Sequence, residues 1–312
     1  MTPIFLFPGQ SSTQPDIFGT ARAVDPEGTA AALREASEVL GRDLAAHYAN
    51  GSAFETNRDV QVGVFVCNYL HLQALRAHGI DAQLSLGLSL GEYSHLVHIG
   101  ALSFADALRL VDERGRAYDS GPDGVMAAVW PVTPEELEPI IEQAREVGFV
   151  AVSNANSPTQ QVIAGERAAV EEALRLLDEE LFVAGRIIEE RVPMHTERFK
   201  PVADAFRRAL QSAPWQAPVR PYLPNTTAEL VLEPTPDVFV DRLSDHVFRP
   251  VRWQQSIDAI LERHPDACFV EVGPRTVLHD MLRKNWVGEA RREHTADPEA
   301  FLRTVGALRG EA

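Results

Sequence analysis

A serine lies between two glycines at the point where a short apolar segment gives way to a helical pattern. The residues are Gly87, Leu88, Ser89, Leu90 and Gly91. Because glycine has no Cβ, positions 87 and 91 allow a sharp turn and a close approach of the new helix to the strand. The helix amino terminus also favours negative charge that develops beside it. The sequence therefore predicts a strand–turn–helix elbow that presents Ser89 as a nucleophile.

Size, charge and cysteine content restrict the class of protein. The chain has 312 residues, 45% hydrophobic and 24% charged, which is enough to bury a substantial core. A formal net charge of −16 argues against nucleic acid as a partner, because phosphate binding needs a basic face. There is no apolar run of the roughly 20 residues that a membrane span needs, and no signal peptide pattern. Two cysteines in apolar segments, Cys67 and Cys268, favour a cytoplasmic protein with buried thiols.

The order of predicted elements indicates an α/β fold with an insertion. Residues 125–193 alternate as strand, helix, strand, strand, helix and strand, which is the order of a ferredoxin-like unit. Residues 1–124 and 194–312 are expected to form one discontinuous, α/β-hydrolase-like large domain with a parallel sheet. A short strand at residues 222–224 is also expected in this large domain.

Five short motifs are spread along the chain. They are Phe-Pro-Gly-Gln at 7–10, Gly-Leu-Ser-Leu-Gly-Glu-Tyr at 87–93, Asn-Ala-Asn-Ser-Pro at 154–158, Val-Pro-Met-His at 192–195 and Glu-Val-Gly-Pro at 271–274. In these motifs and their order the chain resembles the malonyl-CoA:acyl-carrier-protein transacylases, free-standing acyltransferases of fatty-acid or polyketide synthesis. The resemblance covers nearly the whole chain, including the ferredoxin-like insertion.

The resemblance implies a ping-pong acyl transfer. Ser89 would attack the thioester of an acyl-CoA, and His195 would serve as general base. The amides of Gln10 and Leu90 would form the oxyanion hole. A backbone carbonyl orients the histidine in this family, and the matching position here is Arg249, where asparagine is usual. Coenzyme A enters as a thioester substrate, and neither another cofactor nor a metal is expected.

The resemblance also implies a substrate class. Arg114 matches the arginine that pairs with the free carboxylate of malonyl groups, since a guanidinium fork fits a carboxylate. Gln61 matches a glutamine of the same pocket, and Asn156 is expected in the site wall. Leu88 replaces the usual histidine before the nucleophile, and Met194 precedes His195. Methionine is flexible at this position, so malonyl and substituted malonyl units both remain open.

The second substrate would be the phosphopantetheine thiol of an acyl carrier protein. Such carriers are usually acidic, so a chain of net charge −16 needs basic side chains around the mouth of its site. The candidates for this patch are Arg186, Arg198, Lys200, Arg275, Arg283 and Lys284.

Several other functions compete with this interpretation. A thioester hydrolase, a carrier-to-carrier acyltransferase and a non-catalytic carrier-binding module remain alternatives. A lipase or esterase is disfavoured because no His-Gly-Gly-Gly oxyanion loop is present. His95 and His98 are three residues apart on the elbow helix, but no third ligand lies near them in the sequence, so a zinc site is not expected.

Overall fold

Two separate sheets organise the chain in the computed structural model, which describes residues 1–49 and 53–311. The strands of these residues are β1 (Thr2–Phe7), β2 (Leu84–Gly87), β3 (Val125–Trp130), β4 (Val150–Ser157), β5 (Gln160–Gly165), β6 (Ala184–Glu189), β7 (Ala267–Glu271) and β8 (Arg291–His294). The first sheet is parallel, in the order β2-β1-β7-β8. The second is antiparallel, in the order β4-β5-β3-β6.

Helices surround both sheets. They are α1 (Gly19–Val24), α2 (Pro26–Leu40), α3 (Leu44–His47), α4 (Asn57–Ala77), α5 (Gly91–His98), α6 (Phe104–Asp119), α7 (Pro134–Ala144), α8 (Arg167–Leu181), α9 (Lys200–Ser212), α10 (Pro236–Phe248), α11 (Trp253–Arg263), α12 (Val277–Met281), α13 (Lys284–Val287) and α14 (Pro298–Arg309). Two short 3-10 helices cover Gln10–Ser12 and Glu197–Phe199. None of the helices in the described ranges has the length and apolarity required to cross a membrane.

The expected mixed α/β fold is confirmed. The antiparallel sheet comes from one continuous stretch in the order β3, α7, β4, β5, α8, β6. Its spatial order, with β3 and β5 at the centre, is that of a ferredoxin-like unit. The prediction of a strand at residues 222–224 is wrong, because Tyr222 forms only an isolated bridge with Val231. Pro221 and Pro224 flank this bridge, and proline cannot donate to a strand ladder.

The centre of the parallel sheet is buried on both faces. Ile4, Phe5, Leu6 and Phe7 of β1 are all fully buried, as a parallel strand covered by helices requires. Ile4 and Leu6 pack in one cluster with α11 and α12, whereas Phe5 and Phe7 pack in another with α4 and α14. Strand β1 ends at Phe7, whose carbonyl accepts from the Leu88 amide of the elbow.

Two packed helices carry the polar side chains behind the elbow. Helix α4 begins after Thr56, whose side chain accepts a hydrogen bond from the Asp59 amide at 3.0 Å. Helix α6 is capped in the same way by Ser103. Such caps satisfy amides that a helix start leaves free. An ion pair of 2.6 Å between Arg58 Nε and Asp112 Oδ1 joins the two helices, which fixes their relative position.

The antiparallel sheet is bonded to the segment that follows α10. Strand β4 makes a short parallel bridge between Asn154 and Val251, in the segment that follows α10. The Val251 amide donates to the Ser153 carbonyl at 2.9 Å, and the Ala155 amide donates to the Val251 carbonyl at 2.9 Å. The ferredoxin-like unit is therefore held against the end of α10.

Candidate active site

The elbow between β2 and α5 is a turn that only glycine permits. A Cβ at residue 87 would lie 2.0 Å from the carbonyl carbon of Gly91, and a Cβ at residue 91 would lie 2.0 Å from the carbonyl oxygen of Phe7. Both distances are far below contact distance, so the strand and the helix approach as the sequence predicts. Ser89, at the apex, has a φ of 51°, in the left-handed region.

Asn225 holds the elbow from the opposite side. Its Oδ1 accepts from the Ser89 amide at 2.8 Å, and its Nδ2 donates to the Gly87 carbonyl at 2.6 Å. Both contacts are buried, so the side chain fixes the backbone on either side of Leu88. Sequence reasoning missed this residue, because Pro224-Asn225-Thr226 is typical of an ordinary turn.

His195 lies directly against the serine. Its Nε2 is 2.8 Å from Ser89 Oγ, and its Nδ1 is 2.6 Å from the carbonyl oxygen of His246. Because a carbonyl can only accept, Nδ1 carries the proton and Nε2 is free to accept from the hydroxyl. Burial lowers the pKa of His195 well below the ordinary 6.5, and the nearby His246 and Arg114 lower it further. The imidazole is therefore neutral at neutral pH.

The carbonyl that orients the histidine is not the expected one. Arg249 was expected to supply it, but the structure uses His246. Helix α10 continues to Phe248, and the helical partner of the His246 carbonyl would be the amide of residue 250. Residue 250 is proline and has no N–H, so that carbonyl is left for His195. The Arg249 side chain instead points outward, 58% exposed.

Arg114 lies behind the serine as a buried cation. Its Nη1 donates to Gln61 Oε1 at 2.6 Å, and its Nη2 lies 3.4 Å from Ser89 Oγ. The guanidinium stacks on the ring of Tyr118 at 4.2 Å, and Arg114 is only 1% exposed. Within the described residues, its hydrogen-bond partners are uncharged. The positive charge is thus held in place and left free for an anion.

The amino-terminal turn meets the elbow where an oxyanion hole is expected. A Cβ at Gly9 would lie 2.8 Å from the Leu88 carbonyl oxygen and 3.7 Å from Ser89 Cβ, so the turn packs directly on the serine. Among hydrogen bonds between described residues, neither the Gln10 amide nor the Leu90 amide is a donor. Two free amides therefore flank Ser89.

A cleft of about 740 Å³ opens above these groups, between the parallel sheet and the ferredoxin-like unit. Leu88, Met194 and Asn156 line it together with Ser89 and His195. Gln61 is expected in the pocket too, but neither Gln61 nor Arg114 lines the cleft: both are buried behind Ser89, and Gln61 reaches the site through Arg114.

The six basic residues proposed for the mouth separate into two groups. Arg186, Arg275 and Arg283 line the cleft. The other three form ion pairs with acidic neighbours and do not line it, in the pairs Arg198 with Glu166, Lys200 with Asp204 and Lys284 with Glu289. Only the first group is placed to meet a ligand at the mouth.

The histidines of the elbow helix belong to a buried hydrogen-bond chain. Ser85 Oγ lies 2.7 Å from Nδ1 of both His95 and His98, and His98 Nε2 lies 2.8 Å from Asp81 Oδ1. No group of His, Cys, Asp and Glu side chains in residues 1–49 and 53–311 could hold a metal ion. These histidines are therefore occupied with protein partners.

Known proteins resemble this chain over most of its length. The family model described as acyl transferase domain matches residues 5–308. A malonyl CoA-acyl carrier protein transacylase from Bacillus subtilis (strain 168) is 31% identical over 98% of this chain and 97% of its own length. One of the same name from Escherichia coli (strain K12) is 32% identical over 90% of this chain and 91% of its own.

Solved structures resemble the whole chain. MCAT from Streptococcus pneumoniae superposes with a TM-score of 0.89 at 29% identity, over 98% of this chain and 100% of that one. A malonyl-transacylase in complex with its type II PKS acyl-carrier protein has a TM-score of 0.91 at 26% identity, over 99% of this chain and 100% of that one. The chain therefore belongs to the acyl transferase family, and the family expected from its five motifs is confirmed.

Proposed function

We propose that this acyltransferase moves a malonyl-type acyl group from coenzyme A to the phosphopantetheine thiol of an acyl carrier protein, through an acyl-Ser89 intermediate. The observation that carries the proposal is the buried guanidinium of Arg114, which lies 3.4 Å from a serine hydroxyl that is itself 2.8 Å from a histidine. Such a cation suits an acyl group that ends in a carboxylate. The relatives named as malonyl CoA-acyl carrier protein transacylases support the same substrate class.

In the first half-reaction, Ser89 Oγ attacks the thioester carbonyl while His195 Nε2 takes the hydroxyl proton. The negative charge moves to the carbonyl oxygen, to which the Gln10 and Leu90 amides would donate. Each such donor is worth about 2.7–4 kcal/mol in comparable sites. The intermediate then collapses, the C–S bond breaks, and the CoA sulfur leaves with the proton that His195 returns.

The second half-reaction runs the same steps with a different thiol. The carrier thiol gives its proton to His195 Nε2, and its sulfur attacks the acyl-Ser89 carbonyl. The ester bond then breaks, and Ser89 recovers its proton from the imidazolium. The His246 carbonyl keeps Nδ1 protonated through both halves, so the same nitrogen always faces the reacting atoms.

The side chains that line the cleft, together with Arg114 behind Ser89, would define the acyl group. Arg114 would bind the free carboxylate, and Gln61 holds the guanidinium at the correct position. Leu88 and Met194 supply apolar walls beside the reacting carbon, and Asn156 closes the site from the ferredoxin-like unit. Acetyl groups gain nothing from the cation, so the pocket favours malonyl-type units.

The proposed reaction uses no cofactor, because the thioester already activates the acyl group and His195 moves the protons. A cytoplasmic location is part of the proposal. Cys67 and Cys268 are both free and buried, in keeping with a reducing compartment.

Mass spectrometry of the intact protein tests the proposal. Wild-type protein mixed with malonyl-CoA should gain a malonyl adduct, which Ser89→Ala should abolish. Ser11→Ala removes another hydroxyl that lines the cleft and should retain the adduct, which makes it the matched control. Addition of a carrier protein should then move the malonyl group to the carrier thiol. An adduct that survives in Ser89→Ala, or release of free malonate without any transfer, would contradict the proposal.

A further inference from the structure

Three buried polar side chains join the elbow helix α5 to helix α10. Glu92 lies in the first turn of α5, and its Oε1 accepts a hydrogen bond from the Tyr222 hydroxyl. Its Oε2 lies 2.9 Å from Nδ1 of His246, near the end of α10. All three residues are at most 1% exposed, so water does not compete for these contacts. We call this group the Glu92 strut.

One end of the strut is attached to the nucleophile. Glu92 follows Ser89 by three residues, and its amide donates to the Ser89 carbonyl at 3.0 Å. The Glu92 side chain is therefore attached to the backbone directly after the turn that presents Ser89 Oγ. This side chain lies about one helical turn beyond Ser89, tied to the turn by this backbone hydrogen bond.

The other end is attached to the general base. The His246 carbonyl accepts from His195 Nδ1 at 2.6 Å, and the two imidazole rings stack with centroids 4.9 Å apart at 15°. The His195 amide also donates to the next carbonyl of α10, that of Val247, at 3.2 Å. The position of His195 is thus set by the last turn of α10.

A buried carboxylate is costly unless its oxygens have partners. Here the two oxygens of Glu92 differ: Oε1 accepts from the Tyr222 hydroxyl, whereas Oε2 has His246 Nδ1 at 2.9 Å but no aligned hydrogen bond among the described residues, so the His246 ring is the polar group that faces it. Loss of one partner favours a shift of α5 relative to α10 that lets water or another group reach the oxygen. Such a shift would alter the 2.8 Å separation between Ser89 Oγ and His195 Nε2.

We propose that the Glu92 strut fixes the nucleophile turn to the end of α10, and that the His246 side chain is a positioning residue for His195 through this strut. The inference rests on the proposed use of Ser89 and His195 as nucleophile and base. It assigns a role to the His246 side chain that is separate from the role of its backbone carbonyl, which every substitution at this position keeps.

The test compares His246→Leu with His246→Gln. Leucine has no donor for Glu92, whereas glutamine can present an amide N–H to its Oε2. The first readout is the rate at which a fluorophosphonate labels Ser89 with loss of fluoride, which needs neither acyl-CoA nor carrier. Misplacement of reacting groups by about 1 Å can cost up to about 100-fold in rate, so His246→Leu should label at least about tenfold more slowly. His246→Gln should label within about threefold of wild type.

A second readout separates positioning from general damage. In the transfer assay, kcat of His246→Leu should fall with the labelling rate while KM for malonyl-CoA changes less than about twofold. Ser244→Ala is the matched control, because Ser244 Oγ donates only to the Val240 carbonyl of the same helix at 2.6 Å. This variant should label at the wild-type rate. Thermal melting shows that each variant is folded.

The outcomes are distinct. Equal labelling of wild type and folded His246→Leu overturns the strut, as does a His246→Gln variant that is as slow as His246→Leu. If the leucine variant does not fold, Tyr222→Phe removes the other partner of Glu92, and an unchanged labelling rate in that variant overturns the strut. Wild-type protein that labels normally but transfers no malonyl group contradicts the proposed function and leaves the strut standing.

Discussion

Ser89 and His195 both have left-handed backbone conformations, with φ of 51° and 59°, and their side chains meet at 2.8 Å. They are two of the four non-glycine residues with positive φ in the described chain. Each such residue costs about 1–3 kcal/mol and persists only where its surroundings enforce it. The surrounding structure therefore holds backbone strain at both residues of this pair.

The pH dependence of acylation follows from the buried imidazole. A general base must be unprotonated, and burial lowers the pKa of His195 well below 6.5. As pH falls, the rate should stay constant from about pH 8 to about pH 6 and decline only at lower pH. The measurement is kcat/KM for malonyl-CoA at each pH. A half-maximal rate at or above pH 6.5 would show that His195 titrates like an exposed histidine.

Replacement of the buried Arg114 should lower the transfer of malonyl groups, which carry a carboxylate, but not the transfer of uncharged acetyl groups. Under the proposed function, Arg114→Ala would remove two charge-assisted hydrogen bonds to a malonyl carboxylate, each worth about 1.5–3 kcal/mol, so kcat/KM for malonyl-CoA should fall by about 100-fold or more. The value for acetyl-CoA should be unchanged or higher. Arg116→Ala is the control on the same helix, since Arg116 is exposed and pairs with Asp112. An equal loss for both substrates would mean that Arg114 only supports the fold.

The Asn225 side chain, which holds the elbow, should affect the rate of acylation as well as the stability of the fold. Asn225→Ala leaves the buried Ser89 amide and Gly87 carbonyl without partners, which should lower stability by about 1–3 kcal/mol. Because the turn is then free to relax from its strained φ, formation of acyl-Ser89 should slow by about tenfold. Single-turnover acylation and thermal melting give the two values. Thr227→Ala, two residues further on, should affect neither, and an unchanged acylation rate in Asn225→Ala would contradict this role of the Asn225 side chain.

The histidine chain behind the elbow should make the protein sensitive to acid. The Leu223 amide donates to His95 Nε2 at 3.2 Å, so that nitrogen cannot also carry a proton. Burial lowers the pKa of His95 to about 3 from 6.5. Between these values the unfolded chain binds the proton and the folded chain does not, so stability is lost as pH falls below 6.5.

Denaturant unfolding of wild type and His95→Gln tests this effect. From about pH 7 to about pH 5, the wild-type protein should lose about 1–2 kcal/mol more than the variant does. His71, whose pKa burial lowers to about 4, acts in the same direction in both proteins and cancels in the comparison. Parallel loss of stability in the two proteins would show that His95 is not the acid-sensitive group.

Regular patterns in the sequence account for most of the fold. The β-α-β-β-α-β order and the buried strand β1 follow from apolar periodicity, which depends on neighbours in the chain. Strand β8 and helix α14 were not predicted. Strand β8 consists of Arg291, Arg292, Glu293 and His294 at a sheet edge, and such residues show no apolar alternation.

What the sequence determined by itself is the turn at Ser89, because Gly87 is required by its close contact with Gly91, four residues further on, whereas Gly91 is required by Phe7, which the fold brings in from β1. The motif resemblance added His195 and Arg114 as its partners, and the fold brings both to the serine. Only the tertiary structure decided that the carbonyl of His246 rather than that of Arg249 accepts from His195, and that Asn225 bonds the backbone on both sides of the turn. These contacts join residues far apart in the chain. Which atoms meet depends on where α10 ends and on how the segment after it pairs with β4, and no local pattern of residue types specifies either.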